Sequence, residues 1–261
     1  MKLTAALCVL GALAQAGLAG KCSSYQSAPP ASSDTPTPSA SPPPSSTDYS
    51  SSSDTSAPAP TSAPAGFKVT LDQLNAAFPD AGQSGYCSGK KGCNTNQDAV
   101  AAINNAITKY NIKTRAQAVA VVAVMALESD YWMYNVNVFP GRTGQGTKAM
   151  MMYNFVYSYA QSLYPDKVDP NAGSLQPTSA ANNATMNGIR DLVTSTPNDN
   201  FGAGFWYLTN SDAGKPFYTD PAKLRDGNAD DFNAYSTQGL GAPASPERIT
   251  VWQTVNQNLF K

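Results

Sequence analysis

No histidine occurs anywhere in these 261 residues, and glutamate occurs only twice, as Glu128 and Glu247. The first absence removes Ser-His-Asp and Cys-His nucleophilic catalysis, together with the common zinc hydrolase ligand sets. Charge is scarce as well: 13% of residues are charged and the formal net charge is −1. Two basic and three acidic residues precede position 66, which leaves 15 of each sign in the remainder. No basic stripe stands out, which argues against nucleic acid as a partner and against steering toward a polyanionic surface. There is no Walker motif and no dinucleotide fingerprint. Asp226-Gly227-Asn228-Ala229-Asp230 imitates the opening of a calcium loop, but Asp231 stands where that loop needs glycine and Thr237 where it needs a bidentate glutamate. No metal and no cofactor are therefore expected, and what survives is carboxylate chemistry.

Long apolar runs are also missing. Residues 1–19 begin Met1-Lys2-Leu3 and continue apolar to about Leu18, then turn to small residues. This pattern reads as a secretory signal peptide rather than a membrane anchor. Residues 20–65 are dominated by Ser, Pro, Thr and Ala, and from residue 23 they contain no Val, Ile, Leu, Phe or Met. Such a stretch cannot bury enough surface to offset its ordering entropy and reads as a disordered linker. Residues 66–261 are long enough for one domain with a core of its own. The longest apolar run there, Ala118 to Leu127, falls well short of the roughly 18 residues of a membrane span. The chain is expected to be secreted and to act as a monomer with no membrane partner. Cys8 would leave with the signal peptide, and Cys22 has no assigned partner. Cys87 and Cys93, with Gly89 and Gly92 between them, read as a local disulfide in a secreted protein. Asn183-Ala184-Thr185 is an N-glycosylation sequon and predicts a surface position.

The expected fold is α+β, predominantly helical, with a buried central helix and a small β hairpin. Thr95 to Asp98 and Thr114 to Gln117 both have the form of a capping box. The first precedes Val100, Ile103, Ile107 and Tyr110 at helical spacing, and the second launches the apolar run that ends at Glu128. That run is valine-rich, so a buried strand is the rival reading; the capping signal and the length favour helix. Asn135 to Phe139 alternates polar and apolar before Pro140-Gly141, which predicts a hairpin or glycine-rich loop. Further helices are expected from Thr147 to Leu163, over 179–194, around Phe201 to Leu208, over 229–236, and after Ser245-Pro246-Glu247.

Glu128 is the leading catalytic candidate. A carboxyl at the end of a buried segment suits proton donation to a leaving-group oxygen, as glycoside hydrolysis requires. The bland alternative is a surface glutamate at a helix end. A second carboxylate is harder to place. Asp130 is the nearest in sequence, while Asp199, Asp212, Asp226 and Asp230 carry no distinguishing signal. Tyr131, Trp132 and Tyr134 can stack on sugar faces or simply pack in the core. Asn135, Asn137 and Gln145 can bond N-acetyl or hydroxyl groups or cap turns. Arg142 can clamp a carboxylate or an acetamido carbonyl, or stand solvated in its turn.

Several segments together resemble a group of fungal secreted muramidases, glycoside hydrolase family 184, within the lysozyme-like superfamily. They are Cys93-Asn94-Thr95-Asn96, Ala126-Leu127-Glu128-Ser129, Pro140 to Thr147, Phe201 to Leu208, and Leu224-Arg225-Asp226-Gly227. The resemblance implies a lysozyme-like fold, cleavage of peptidoglycan between N-acetylmuramic acid and N-acetylglucosamine, and Glu128 as general acid. It supplies no second carboxylate. Members of that group can carry a wall-binding module ahead of the domain, where this chain has only the Ser/Pro linker. Two alternatives stand beside it: a chitinase- or chitosanase-type hydrolase, and a non-catalytic secreted wall-binding or effector protein.

Overall fold

The computed structural model describes residues 66–243 and 245–261. The expected signal peptide, the linker, Cys8 and Cys22 lie outside the described residues. Within them, helices start where side chains can satisfy the free amide groups of a first turn. Thr70 opens α1 (Leu71–Ala77) by a reciprocal capping box with Gln73. The same device starts α2 (Asn96–Lys109) with Thr95 and Asp98, and α3 (Arg115–Glu128) with Thr114 and Gln117. Each box satisfies two donors that would otherwise go unpaired. Downstream lie α4 (Tyr153–Leu163), α5 (Ala180–Thr194), α6 (Pro197–Asn210), α7 (Lys215–Thr219), α8 (Ala229–Ala234) and α9 (Pro246–Asn258). Ser179, Thr196, Asn228 and Ser245 cap α5, α6, α8 and α9 through their side-chain oxygens.

The centre is α3, buried without a break from Ala116 to Ala126. Apolar residues on every side of this helix require neighbours on every side. It packs against α6 and α9; α6 in turn packs on α2, and α4 on α5. Burial of Val119, Val121, Val122, Val124 and Met125 contributes on the order of 10 kcal/mol before ordering costs. Gly204 lets α6 approach closely: a Cβ there would lie 2.9 Å from Met125 Sδ and 3.0 Å from Val121 Cγ1. Two reciprocal contacts fix α9 antiparallel to α3. Arg115, at the start of α3, reaches the carbonyls of Asn256 and Leu259 at the end of α9 and pairs with Asp226. Arg248, in the first turn of α9, reaches Glu128 at the end of α3.

The α+β expectation is corrected to a predominantly helical domain, with nine α-helices and no β-strand among the described residues. The expected hairpin reduces to two isolated antiparallel bridges, Val136 with Gly146 and Gly146 with Met151. The loop's polar groups are satisfied locally instead: Asn137 Oδ1 accepts from the amides of Gly141 and Arg142, which turns the chain before a ladder can form. The helix expected from Thr147 begins only at Tyr153. Thr147 and Met150 take φ values of 70° and 45°, which no right-handed helix accommodates. The segment instead carries Lys148 into the interior. The helix expected over 229–236 ends its α-helical part at Ala234 and passes into a π-helical turn, Tyr235–Gly239. Helices α1 and α7 were not anticipated.

Lys148 is fully buried. Its Nζ donates to the carbonyls of Trp132 (2.8 Å), Gly92 (3.0 Å) and Tyr134 (3.2 Å). Three acceptors match the three donors of an ammonium group and replace its lost water. The lysine thereby ties the loop closed by the Cys87–Cys93 disulfide to the turn that follows Glu128. Burial pushes its pKa down to about 7, against a smaller upward pull from Asp98. Replacing Lys148 by Met orphans buried carbonyls and should cost about 2–4 kcal/mol in chemical denaturation. Between pH 7 and 10.5 the unfolded chain holds a lysine proton that the folded protein has released, so this residue's contribution to stability rises with pH across that window. Denaturation of the wild type at pH 7, 8 and 9 should show the rise, and K148M should show a flatter profile.

Candidate active site

Glu128 is the last residue of α3, and its side chain is 32% exposed. It lines a cleft of about 280 Å³. The walls are apolar, formed by Met150, Met151, Met152, Phe155 and Leu240 with the rings of Tyr207 and Tyr235, and the polar side chains of Arg142 and Gln145 join them. Arg248 Nη2 donates to Glu128 Oε1 at 2.7 Å. The Arg248 side chain is only 10% exposed, and its Nε and Nη1 have no partner among the described residues. Glu128 Oε2 has no hydrogen-bond partner among the described residues. One oxygen of the carboxylate is therefore pinned and the other is free.

The chain leaves α3 through an unusual turn. Asp130, Tyr131 and Trp132 all have left-handed backbones, with φ of 50°, 52° and 75°, at about 1–2 kcal/mol per residue for side chains bearing a Cβ. The turn is held from several directions. Tyr131 N donates to Ala126 O at 2.7 Å, Trp132 N to Ser129 Oγ at 3.0 Å, and Trp132 O receives Asn94 N at 3.0 Å in addition to Lys148. Its effect is to separate the two carboxylates that the sequence reading paired. Asp130 and Tyr131 line a second cleft of about 480 Å³, with Phe78, Asp80, Tyr86 and Thr254. In that cleft burial, followed by the charges of Asp130 and Asp80, pushes the Tyr86 hydroxyl up to about 12. Asp130 is thus not a lining residue of the Glu128 cleft, where Glu128 is the only acid among the described residues.

The other sequence candidates scatter. Trp132 is fully buried against Phe78 and Phe201 and donates Nε1–H to Asn96 Oδ1. It is a core residue and presents no face to a ligand. Tyr134 is exposed but lines neither cleft. Asn135 sits half-buried beside Gly92 in a small pocket with Thr196 and Asn200, and Asn137 caps its turn. Asn183 is half-buried in α5. Asp199 lies in the first turn of α6, where its amide donates to the capping Thr196 and its carboxylate accepts from the Thr196 and Tyr164 hydroxyls, while Asp226 pairs with Arg115. Cys87 and Cys93 are disulfide-bonded as expected. The Glu128 cleft brings together Glu128, Arg142 and Gln145 and none of the others.

Arg248 is the residue that sequence reading missed. A signal existed: the start of α9 was legible from Ser245-Pro246, and a cation in a helix's first turn opposes the dipole unless something pairs it. Tyr207 and Tyr235, also in the cleft walls, looked like ordinary core aromatics.

No protein-family model matches the chain. Among curated proteins it is similar to a bifunctional dioxygenase (DOX)-epoxy alcohol synthase (EAS) of Fusarium oxysporum (strain Fo5176), with 33% identity over 121 residues. The match takes in 45% of this chain and 9% of that protein, so the chain spans less than a tenth of the relative's length. These findings overturn the assignment to the family 184 muramidases and the lysozyme-like superfamily. The segments that carried it have local structural reasons instead. Cys93 to Asn96 is a disulfide end running into a capped helix. Pro140 to Thr147 is a turn with its own amide cap, and Phe201 to Leu208 is core helix around Gly204.

Proposed function

We propose that residues 66–261 form a secreted glycoside hydrolase acting on an amino-sugar glycan, peptidoglycan in the first place, with Glu128 as general acid. The observation that carries this reading is the pinned and half-free carboxylate of Glu128 at the mouth of an apolar cleft. Arg248 holds Oε1 of the carboxylate, so in this reading the free Oε2 takes up a proton from solvent as substrate seats and passes it to the glycosidic oxygen. Proton transfer lets the C–O bond break; water adds to the sugar carbon left behind and gives its spare proton to solvent, and solvent returns one to Glu128. No second acid among the described residues lines this cleft. Water positioned from the opposite face, or the substrate's own acetamido group, takes the part of the missing carboxylate. The apolar walls exclude competing solvent once a ring is seated. Secretion fits the disulfide, and no helix of the described residues is long and apolar enough to cross a membrane.

The ion pair also favours a second reading. An arginine-held carboxylate without a catalytic partner is how a binding protein fixes sugar hydroxyls without cleaving them. Reducing-end release from purified peptidoglycan separates the two. With turnover, Glu128→Gln should lower the rate by about 10²–10⁴-fold; no release by the wild type favours the binding protein, and full activity of the variant ends the general-acid role of Glu128. Chitooligosaccharide as a parallel substrate settles which glycan is cleaved. Thermal stability should not rise in Glu128→Gln, because Arg248 loses its counter-charge while keeping a neutral acceptor. Arg248→Met should cost more, about 1–3 kcal/mol, and a Glu128→Gln/Arg248→Met cycle measured by denaturation should show favourable coupling.

A further inference from the structure

Three asparagine side chains converge on a pocket of their own. Asn94, Asn135 and Asn200 line it together with Thr194 and Pro197, and none of its lining residues also lines the Glu128 cleft. Other asparagines of the domain are spoken for: the side chains of Asn96, Asn104, Asn137 and Asn187 each make at least two hydrogen bonds. Asn94 and Asn135 bond the described residues through their main chains alone. Asn200 is 2% exposed. Its Oδ1 is sealed off without a donor, and no described residue accepts from its Nδ2, so a ligand meets this residue through Nδ2. Amides without partners are costly to bury, and three of them around one pocket point to a group that completes them.

The amides are held on fixed backbone. The Cys87–Cys93 disulfide closes the loop ahead of Asn94, and Asn94 N donates to Trp132 O at 3.0 Å. Lys148 ties the flanking segments together: its Nζ reaches the carbonyls of Gly92 and Tyr134, and its main-chain N donates to Asn200 O at 3.3 Å. Asn135 lies flat over Gly92, where a Cβ would stand 2.0 Å from Asn135 Oδ1. Groups fixed before binding lose little freedom on binding. No charged side chain among the described residues lines the pocket, which selects a neutral ligand. A primary amide carries donor and acceptor side by side and matches hydroxyl groups, which donate and accept at once. The volume of about 200 Å³ suits about one pyranose ring. A peptide fits less well, because it also needs pockets for its side chains, and Pro197 is the one aliphatic ring in this wall. We infer that Asn94, Asn135 and Asn200 form a second, non-catalytic site that binds the vicinal hydroxyls of a neutral pyranose. The inference does not rest on turnover at Glu128, and it requires no acetamido group on the sugar.

The test is proton–nitrogen correlation NMR of the full chain, which observes asparagine side-chain NH₂ groups directly. The probes are methyl β-D-glucoside, cellotriose and tetrahydropyran-2-methanol, which keeps the ring but has no vicinal hydroxyls. Saturable shifts of the Asn94, Asn135 and Asn200 side-chain signals with both sugars and not with the alcohol are the expected result. Asn135→Ala should weaken that binding about three- to tenfold. Tighter binding of cellotriose identifies a glycan chain as the source of the ring, equal binding a single sugar, and both uphold the site. No saturable shift at these amides with either sugar overturns the inference, as does an equal response to tetrahydropyran-2-methanol or an unchanged affinity in Asn135→Ala. Shifts confined to Gln145 and its neighbours overturn it too, since sugar then binds only in the Glu128 cleft. The three-probe comparison needs the wild type alone, so the inference can fail even if Asn135→Ala does not fold. Reducing-end release from peptidoglycan is decided separately, by Glu128.

Discussion

Two arginines clasp the antiparallel pair α3 and α9 at both ends, and the placement of Glu128 depends on that clasp. Each arginine stands in the first turn of its own helix, where the dipole disfavours a cation. Each is compensated by the opposite end of the other helix: Arg115 by the carbonyls of Asn256 and Leu259, Arg248 by the Glu128 carboxylate. The arrangement fixes the register of the two helices and the height at which α3 stops. A carboxylate whose position is set by a nearly buried guanidinium is preorganised, the condition under which an electrostatic or proton-transfer role is effective.

The strained turn after Glu128 decides what that carboxylate can work with. Three consecutive left-handed residues turn the chain sharply enough that Asp130 faces a different cleft. The strain persists because Ser129, Asn94 and buried Lys148 over-determine the turn. The consequence is a one-acid cleft with apolar walls and a separate, larger cleft bearing Asp80 and Asp130. On the proposed reading, carboxylate chemistry in the first borrows its second group from water or substrate.

Much of this was legible in the sequence where local rules decide. The capping boxes at Thr95 and Thr114, the fully buried α3 and its end at Glu128 follow from side-chain capping and periodicity, as does α5. The same capping signature at Thr70 was equally readable and marks α1. Where long-range contacts decide, the sequence was silent. Thr147 looks like a helix cap, yet its backbone is left-handed and the next residue is a buried lysine whose three carbonyl partners are 14 to 56 positions away. The alternation from Asn135 to Phe139 looks like a strand, but Asn137 closes its own turn first. Trp132 beside a candidate glutamate reads as a stacking platform, yet it follows a left-handed turn into the core. Family likeness drawn from short turn, cap and core-helix segments failed as well, because each of those strings has a local structural reason of its own.

The most direct test is a crystal structure of the Glu128→Gln protein soaked with an N-acetylglucosamine oligomer. Density for a sugar ring between Arg142, Gln145 and the Met150–Met152 wall, with a glycosidic oxygen within hydrogen-bond reach of the position 128 side chain, is the predicted result. A ring seated in the Asp80–Asp130 cleft, with the Glu128 cleft vacant, would contradict the account.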